Sequence, residues 1–375
     1  GELGYSLAHA FGSVLDNPDL IAVCVVGDGE AETGPLATSW HGNKFINPKK
    51  DGIVLPILHL NGYKISNPTV MGRMDDNNLK FYFAGLGYKP YFVEGSDTKE
   101  MHKLMADTLD KVVADIKKIK TEDIKKIYYP MIILKTPKGW TGPKEIDGKI
   151  LEGSFRSHQV PVDISNPNNI KYLEEWLRSY HPEKLFDKNG KLLDEISSFL
   201  PKGHKRMGDS KYFNPGIINN LILPDFRDYM LDFNKPGEVK SQDMLVLSSY
   251  IRDIFNLNKN NLNYRLFSPD EAMSNRLYDI FEATQRDFQL PILDSDEYLS
   301  KDGRVMDSYL SEHLCQGILE GYLLTGRHGL FVSYEAFIRI IDSMASQHAK
   351  WLKVCKEIPW RRDISSLNYI LTSNV

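Results

Sequence analysis

Leu20-Ile21-Ala22-Val23-Cys24-Val25-Val26-Gly27-Asp28-Gly29-Glu30 is the stretch on which the reading of the fold turns. Its apolar run, rich in valine and bounded by glycines, suits a parallel strand covered on both faces, with a carboxylate delivered at its carboxyl end. A second run, Val54-Leu55-Pro56-Ile57-Leu58-His59-Leu60, ends in Asn61-Gly62-Tyr63. Two neighbouring strands of this kind place Asp28 and Asn61 side by side, at the edge where open α/β sheets bind their ligands. A carboxylate, an amide oxygen and a loop carbonyl are hard donors. They suit Mg²⁺ or Ca²⁺ shared with phosphate oxygens, rather than Zn²⁺. The glycines let backbone approach such phosphates closely.

Spacing separates this reading from its rivals. A dinucleotide fingerprint needs a third glycine where Glu32 stands, and no Gly-Lys-Ser/Thr follows to make a Walker loop. A tight turn after a strand, binding nothing, stays open as the plain alternative.

The chain's 375 residues allow two domains of ordinary size with a real core. Hydrophobic residues make up 42% and charged ones 26%, as in soluble globular proteins. A formal net charge of −4, with both signs mixed along the chain, offers no electrostatic footprint for nucleic acid or an anionic membrane. Cys24, Cys315 and Cys355 lie far apart among apolar neighbours, and read as small core residues of a reducing compartment. No apolar run approaches a membrane span and no cationic-apolar leader opens the chain, so a cytoplasmic location is expected. The chain opens at Gly1, inside what reads as a functional loop, Gly1-Glu2-Leu3-Gly4, and is expected to be an internal fragment.

Residues 1–160 alternate apolar runs with helical patterns, as βα units do. The clearest helix follows Asp97, a cap with Glu100 three residues on, ahead of Met101, Leu104, Met105, Leu109, Val112, Val113 and Ile116. Another strand, Tyr129 to Leu134, leads into Thr136-Pro137-Lys138-Gly139-Trp140. Residues 161–240 are polar and rich in Asn, Pro and Lys, and are expected to form a helical linker. A second α/β unit starts near residue 245. There Ser268-Pro269-Asp270-Glu271 reads as a capping box opening a helix, and a further helix is expected from Asp307 to about Thr325.

Several strings together resemble one family. They are Gly1-Glu2-Leu3-Gly4-Tyr5-Ser6-Leu7, Gly27 to Pro35, His59 to Ile65, Thr136 to Trp140, Ser154-Phe155-Arg156-Ser157-His158-Gln159-Val160-Pro161, Ser311-Glu312-His313, Gly326-Arg327-His328-Gly329 and Val332-Ser333-Tyr334-Glu335. Over its whole length the chain resembles phosphoketolase, a thiamine-diphosphate enzyme related to transketolase.

The resemblance implies an α/β protein with two thiamine-diphosphate-binding-type domains, each a mostly parallel sheet flanked by helices, joined by the linker. Residues 1–215 would be the diphosphate and metal domain, lacking its start, and 216–375 the pyrimidine domain, lacking its end. The implied activity is that of an aldehyde-lyase: xylulose 5-phosphate or fructose 6-phosphate is cleaved with inorganic phosphate to acetyl phosphate, a shorter aldose phosphate and water.

By the same resemblance Asp28, Asn61 and the Tyr63 carbonyl would hold Mg²⁺ on the cofactor diphosphate, with Gly27, Gly29 and Glu30 beside it and Gly1 and Leu3 touching its rings. Glu312 would protonate the pyrimidine nitrogen and Tyr334 stack on that ring. His158 and Lys138 resemble the proton-transfer and oxygen-stabilising pair, and Ser274 and Arg276 the phosphate-binding residues. Glu312 and Tyr334 would serve the cofactor held by the other subunit, implying a homodimer. A transketolase-like ketol transferase, and a non-catalytic paralogue that keeps the fold, are the competing readings. The intact Asp28, Asn61 and Glu312 argue against the second.

Overall fold

The computed structural model describes residues 3–158 and 162–373. Gly1 therefore lies outside the described residues, as do Glu2 and the Gln159-Val160-Pro161 end of one family string.

In the first unit α1 (Ser6–Val14) precedes β1 (Ile21–Gly27), α2 (Gly34–Ser39), β2 (Ile53–Leu60), α3 (Asp76–Gly85), β3 (Tyr88–Glu94), α4 (Thr98–Thr121) and β4 (Tyr129–Lys135). The strands pair in the order β1-β2-β4-β3, all parallel. Register sets Gly27 opposite His59, so Asp28 and Asn61 emerge from adjacent strand ends. Asp97 caps α4 by accepting from the Lys99 and Glu100 amides, as its spacing predicts.

β1 departs from expectation. It is an edge strand with one face on the core. Cys24 and Val26 point inward, while Val23 is 57% and Val25 60% exposed. A continuous apolar run reads as doubly covered, but among the described residues the second face stays largely exposed.

A small hairpin, β5 (Glu145–Ile146) with β6 (Lys149–Ile150), is followed by α5 (Ile170–Ser179) and the single turn α6 (Asp194–Ser197). The segment up to residue 242 is otherwise short 3₁₀ turns and irregular backbone, so the connection is helical only in part.

The second unit comprises α7 (Asp243–Asn258), β7 (Tyr264–Phe267), α8 (Ile280–Ala283), β8 (Arg286–Asp287), β9 (Leu299–Ser300), β10 (Val305–Met306), α9 (Glu312–Leu323), β11 (His328–Tyr334), α10 (Ile338–Cys355) and β12 (Asn368–Thr372). Its sheet runs β12-β11-β7-β10-β8-β9, again parallel throughout. No helix starts at Ser268. Asp270 (φ 65°) and Arg276 (φ 62°) are left-handed, a conformation that breaks an α-helix, and the capping-box residues serve a folded loop instead. The later helix begins at Glu312, with Ser311 as its cap accepting from the Leu314 amide.

α1 and α9 join the two units backbone to backbone. A Cβ on Gly12 would stand 2.0 Å from the Ile318 carbonyl oxygen, and one on Gly321 would stand 2.1 Å from that of His9. Around this crossing Leu7, Phe11, Leu314, Ile318, Tyr322 and Phe331 belong to one buried cluster with the first sheet. A buried ionic group lies alongside. The Asp16 carboxylate pairs with Arg304 at 3.0 and 2.9 Å and with Arg265 at 3.2 and 2.9 Å, and it accepts from the Tyr322 hydroxyl at 2.7 Å. Arg265 also reaches Asp51 (3.6 Å) and Asp287 (3.2 Å). Arg327, from one of the family strings, belongs to this joint: its guanidinium donates to the Asp16 carbonyl and the Asn17 side chain.

Candidate active site

Asp28 is 1% exposed at the end of β1. Its Oδ2 accepts from the Gly62 amide (2.7 Å) and the Thr69 hydroxyl (2.8 Å), and its Oδ1 from the Gly29 amide (3.0 Å). All three donors are neutral, and among the described residues the carboxylate makes no salt bridge. Gly62 needs its flexibility: it has φ 85°, and the space where a Cβ would project is open. Asn61 turns its Oδ1 back to accept from the Tyr63 amide at 3.1 Å. The Tyr63 carbonyl accepts from the Lys138 ammonium at 2.8 Å.

Burial draws the Lys138 ammonium below its ordinary value, and the nearby Asp28 carboxylate opposes this. Burial likewise lowers His59, whose Nε2 lies 2.8 Å from the Thr136 hydroxyl. The His158 segment is tied to the same place. The Gly153 amide donates to the Lys138 carbonyl (2.8 Å), and a Cβ on Gly139 would strike Ser157 at 2.5 Å. His158 itself is exposed. Glu30 braces the opening loop through Oε1, which accepts from the Gly4 amide (3.2 Å) and the Ser6 hydroxyl (2.8 Å), while Leu3 beside it is exposed.

An oxygen-donor set of this kind fits a hard divalent cation. The Asp28 carboxylate, Asn61 amide oxygen and Tyr63 carbonyl keep lone pairs beyond the hydrogen bonds they accept. Among the described residues no group of three or more His, Cys, Asp or Glu side chains could hold a metal by itself. A cation here would thus take further oxygens from a phosphate ligand.

The second unit gathers the other predicted residues. Glu312 begins α9, half-buried, next to His313, whose ring lies 6.2 Å from that of Tyr5. Neighbouring Ser311 approaches the Thr38 hydroxyl at 3.4 Å, so this helix start abuts the first unit. The Glu271 carboxyl lies near Glu312. Glu271 is raised above its ordinary value by burial, opposed by the Ser333 hydroxyl and assisted by the Glu312 charge. Asp307 is raised by burial against its pairing with Arg286. The Tyr334 hydroxyl bonds to Ser274, and its amide donates to Glu271 Oε2 at 3.2 Å. Ser274 and Arg276 line an open cavity of about 560 Å³ beside the end of β12.

Within this chain, then, Gly27, Asp28, Gly29, Glu30, Asn61, Tyr63, Lys138 and the His158 loop share one strand-end edge. Ser274, Arg276 and Tyr334 share another. Sequence reasoning missed the contacts of Thr69, Asp307 and Asn275, and read Glu271 only as part of a capping box, because each of the four reaches a partner distant in the chain.

The architecture is that of the transketolases. A transketolase of Pichia stipitis in complex with xylulose 5-phosphate matches 92% of this chain and 50% of its own length, at TM-score 0.55 and 13% identity. Its complex with sedoheptulose 7-phosphate matches at TM-score 0.54. Family models then place the chain more narrowly. The phosphoketolase (XFP) N-terminal domain matches residues 1–218, and D-xylulose 5-phosphate/D-fructose 6-phosphate phosphoketolase matches residues 245–375. The chain belongs to the phosphoketolase family. It is 59% identical to a probable phosphoketolase of Clostridium acetobutylicum and 56% to one of Bradyrhizobium diazoefficiens, in each case over all of this chain and 48% of the relative. It thus spans about half the length of the curated relatives it matches.

Proposed function

We propose that this chain is the cofactor-binding part of a phosphoketolase, an aldehyde-lyase that cleaves xylulose 5-phosphate, fructose 6-phosphate or both with inorganic phosphate. The products are acetyl phosphate, glyceraldehyde 3-phosphate or erythrose 4-phosphate, and water. The observation that carries the reading is Asp28: a buried carboxylate at a strand end, held only by neutral donors, beside the Asn61 oxygen and the Lys138 ammonium. Burying such a charge without a direct salt bridge is costly, and a bound divalent ion offsets that cost.

Thiamine diphosphate, when bound, supplies the nucleophilic carbon and electron sink for carbon–carbon cleavage. Asp28, Asn61 and the Tyr63 carbonyl would hold Mg²⁺ or Ca²⁺ against its diphosphate, with Gly27, Gly29 and Glu30 close to the phosphates and Gly1 and Leu3 against its rings. Glu312 would hold a proton at the pyrimidine ring nitrogen, in an environment where burial already raises the neighbouring Glu271. Tyr334 would pack against that ring. Lys138 would stabilise developing negative charge on substrate oxygen, and His158, on the loop tied to Lys138, would move protons. Ser274 and Arg276 would take a phosphate group. On this reading residues 1–215 and 216–375 are the diphosphate and pyrimidine domains, and sites complete themselves across a homodimer in the cytoplasm. Among the described residues no helix is long and apolar enough to cross a membrane.

The test is acetyl phosphate, trapped as its hydroxamate, from xylulose 5-phosphate with thiamine diphosphate and Mg²⁺, in a protein of the relatives' full length. Phosphate-dependent product that disappears in Glu312→Ala is expected. Ketol transfer to an added aldose, without need of phosphate, would move the chain to the transketolase reading, which the fold alone also admits.

A further inference from the structure

We propose that Asn275 is a positioning residue: it locks the end of β12 to the 271–277 loop and thereby sets Arg276 in the phosphate-binding cavity. The proposal rests on the phosphate role given to Arg276 above.

Arg276 stands in the left-handed region, φ 62°, where a residue other than glycine is strained. Such a conformation persists only where its surroundings over-determine it. Both chain neighbours do so here. Leu277 is fully buried, with its amide donating to the Ala272 carbonyl at 3.0 Å. Asn275 is 2% exposed; its amide (2.9 Å) and its Nδ2 (2.8 Å) both donate to the Glu271 carbonyl, and its Oδ1 accepts from the Thr372 hydroxyl. Upstream, the Glu271 and Ala272 amides donate to Asp307 Oδ1 at 3.0 and 3.1 Å, and the other oxygen of Asp307 accepts from Arg286 Nε at 2.9 Å.

The loop is therefore held at its start by Asp307 and at its end by Leu277; Tyr334 of β11 bonds to its Glu271 and Ser274, and the Asn275 side chain ties it to β12. Arg276 stands between two buried anchors and lines the cavity with Ser274, Asn275 and Thr372. Asp243 lines the same cavity with its Oδ1 bonded to the Met244 amide of its own helix. A guanidinium beside hydroxyl groups in an open cavity recognises a phosphate dianion or phosphate monoester.

Calorimetric titration of inorganic phosphate into a protein of the relatives' full length tests this, with the thermal midpoint measured on every variant. Asn275→Ala and Thr372→Val remove the same bond from opposite ends. Each is expected to weaken phosphate binding about tenfold, as befits loss of one net hydrogen bond to a positioned group, and the double variant to be no weaker than either. Thr372→Ser, which keeps the donor, should restore the affinity. Arg276→Gly should abolish binding while the midpoint holds or rises, because glycine relieves the left-handed strain. Wild-type affinity retained in both Asn275→Ala and Thr372→Val, with only the midpoint lowered, would leave Asn275 a merely structural residue and overturn the proposal. Absence of phosphate binding in the wild-type chain would instead overturn the phosphate reading of the cavity, and the proposal with it.

Discussion

Asp16 and Asp28 are both buried aspartates of the first unit, yet their surroundings are opposite. Asp16 faces two guanidiniums and a phenol, all from the second unit. Burial works to raise its pKa, but Arg265 and Arg304 overcome that and hold it well below the usual carboxylate range. Asp28 faces two backbone amides and the Thr69 hydroxyl. One charge is fully committed to joining the units, and the other is oriented by neutral donors without a salt bridge among the described residues. The contrast separates two ways of burying a carboxylate: one is paired directly with guanidiniums, the other is hydrogen-bonded by neutral donors with the Lys138 ammonium only nearby.

Breaking the structural member should have the largest effect. Asp16→Ala strands Arg304 without its bidentate partner and is expected to cost about 3–5 kcal/mol in urea unfolding, as losing one partner of a buried pair does. Asp28→Asn should leave the unfolding midpoint nearly unchanged, since an amide oxygen still accepts from Gly62 and Thr69. It should lower Mg²⁺-dependent thiamine diphosphate affinity on the order of 100-fold, read by titration of cofactor quenching of tryptophan fluorescence. Equal stability losses in the two variants would erase the distinction.

Asp287 sharpens the comparison from within the ionic group. Arg265 is shared among Asp16, Asp51 and Asp287, so burial and the Asp51 charge outweigh its pull and raise Asp287 to about 7. A raised folded-state pKa means that the protonated form is the stable one. Stability from this group is therefore present near pH 4, declines by roughly 1 kcal/mol per pH unit as pH rises toward 7, and is gone above it. Asp51, raised mainly by burial, adds to the same trend. Unfolding curves between pH 5 and 8 should show Asp287→Asn gaining stability relative to wild type as pH rises. A pH-independent difference would refute the shared-guanidinium account.

The smallest effect belongs to the rim of the Asp28 edge. Lys64 and Glu32 pair at 2.5 Å with both side chains partly exposed, and Lys64→Met should change stability by less than about 1 kcal/mol.

Much of the Asp28 edge was legible in the sequence because strand-end sites are written locally. An apolar run ending in Gly-Asp-Gly, and another ending in Asn-Gly, carry both the strand and the group it delivers. The Asp97 cap was readable for the same reason. The helix expected at Ser268 was not formed, because Asp307, 36 residues beyond Glu271, captures the amides that a helix start would present, and because Asp270 and Arg276 are left-handed. The exposed face of β1 was unreadable too, since an apolar run reports what a strand is fit to bury and not whether a neighbour arrives to cover it.

By itself the sequence determined the class of fold, the strand-end positions of Asp28 and Asn61, and the family, all carried by periodicity and by short contiguous strings. Only the tertiary structure decided which buried aspartate pairs with guanidiniums across the units and which is held by neutral donors, where the 271–277 loop is anchored, and how α1 and α9 meet at Gly12 and Gly321. Local strings act through neighbouring residues along the chain, whereas a charge partner, a tether or a backbone crossing exists only once distant segments have packed.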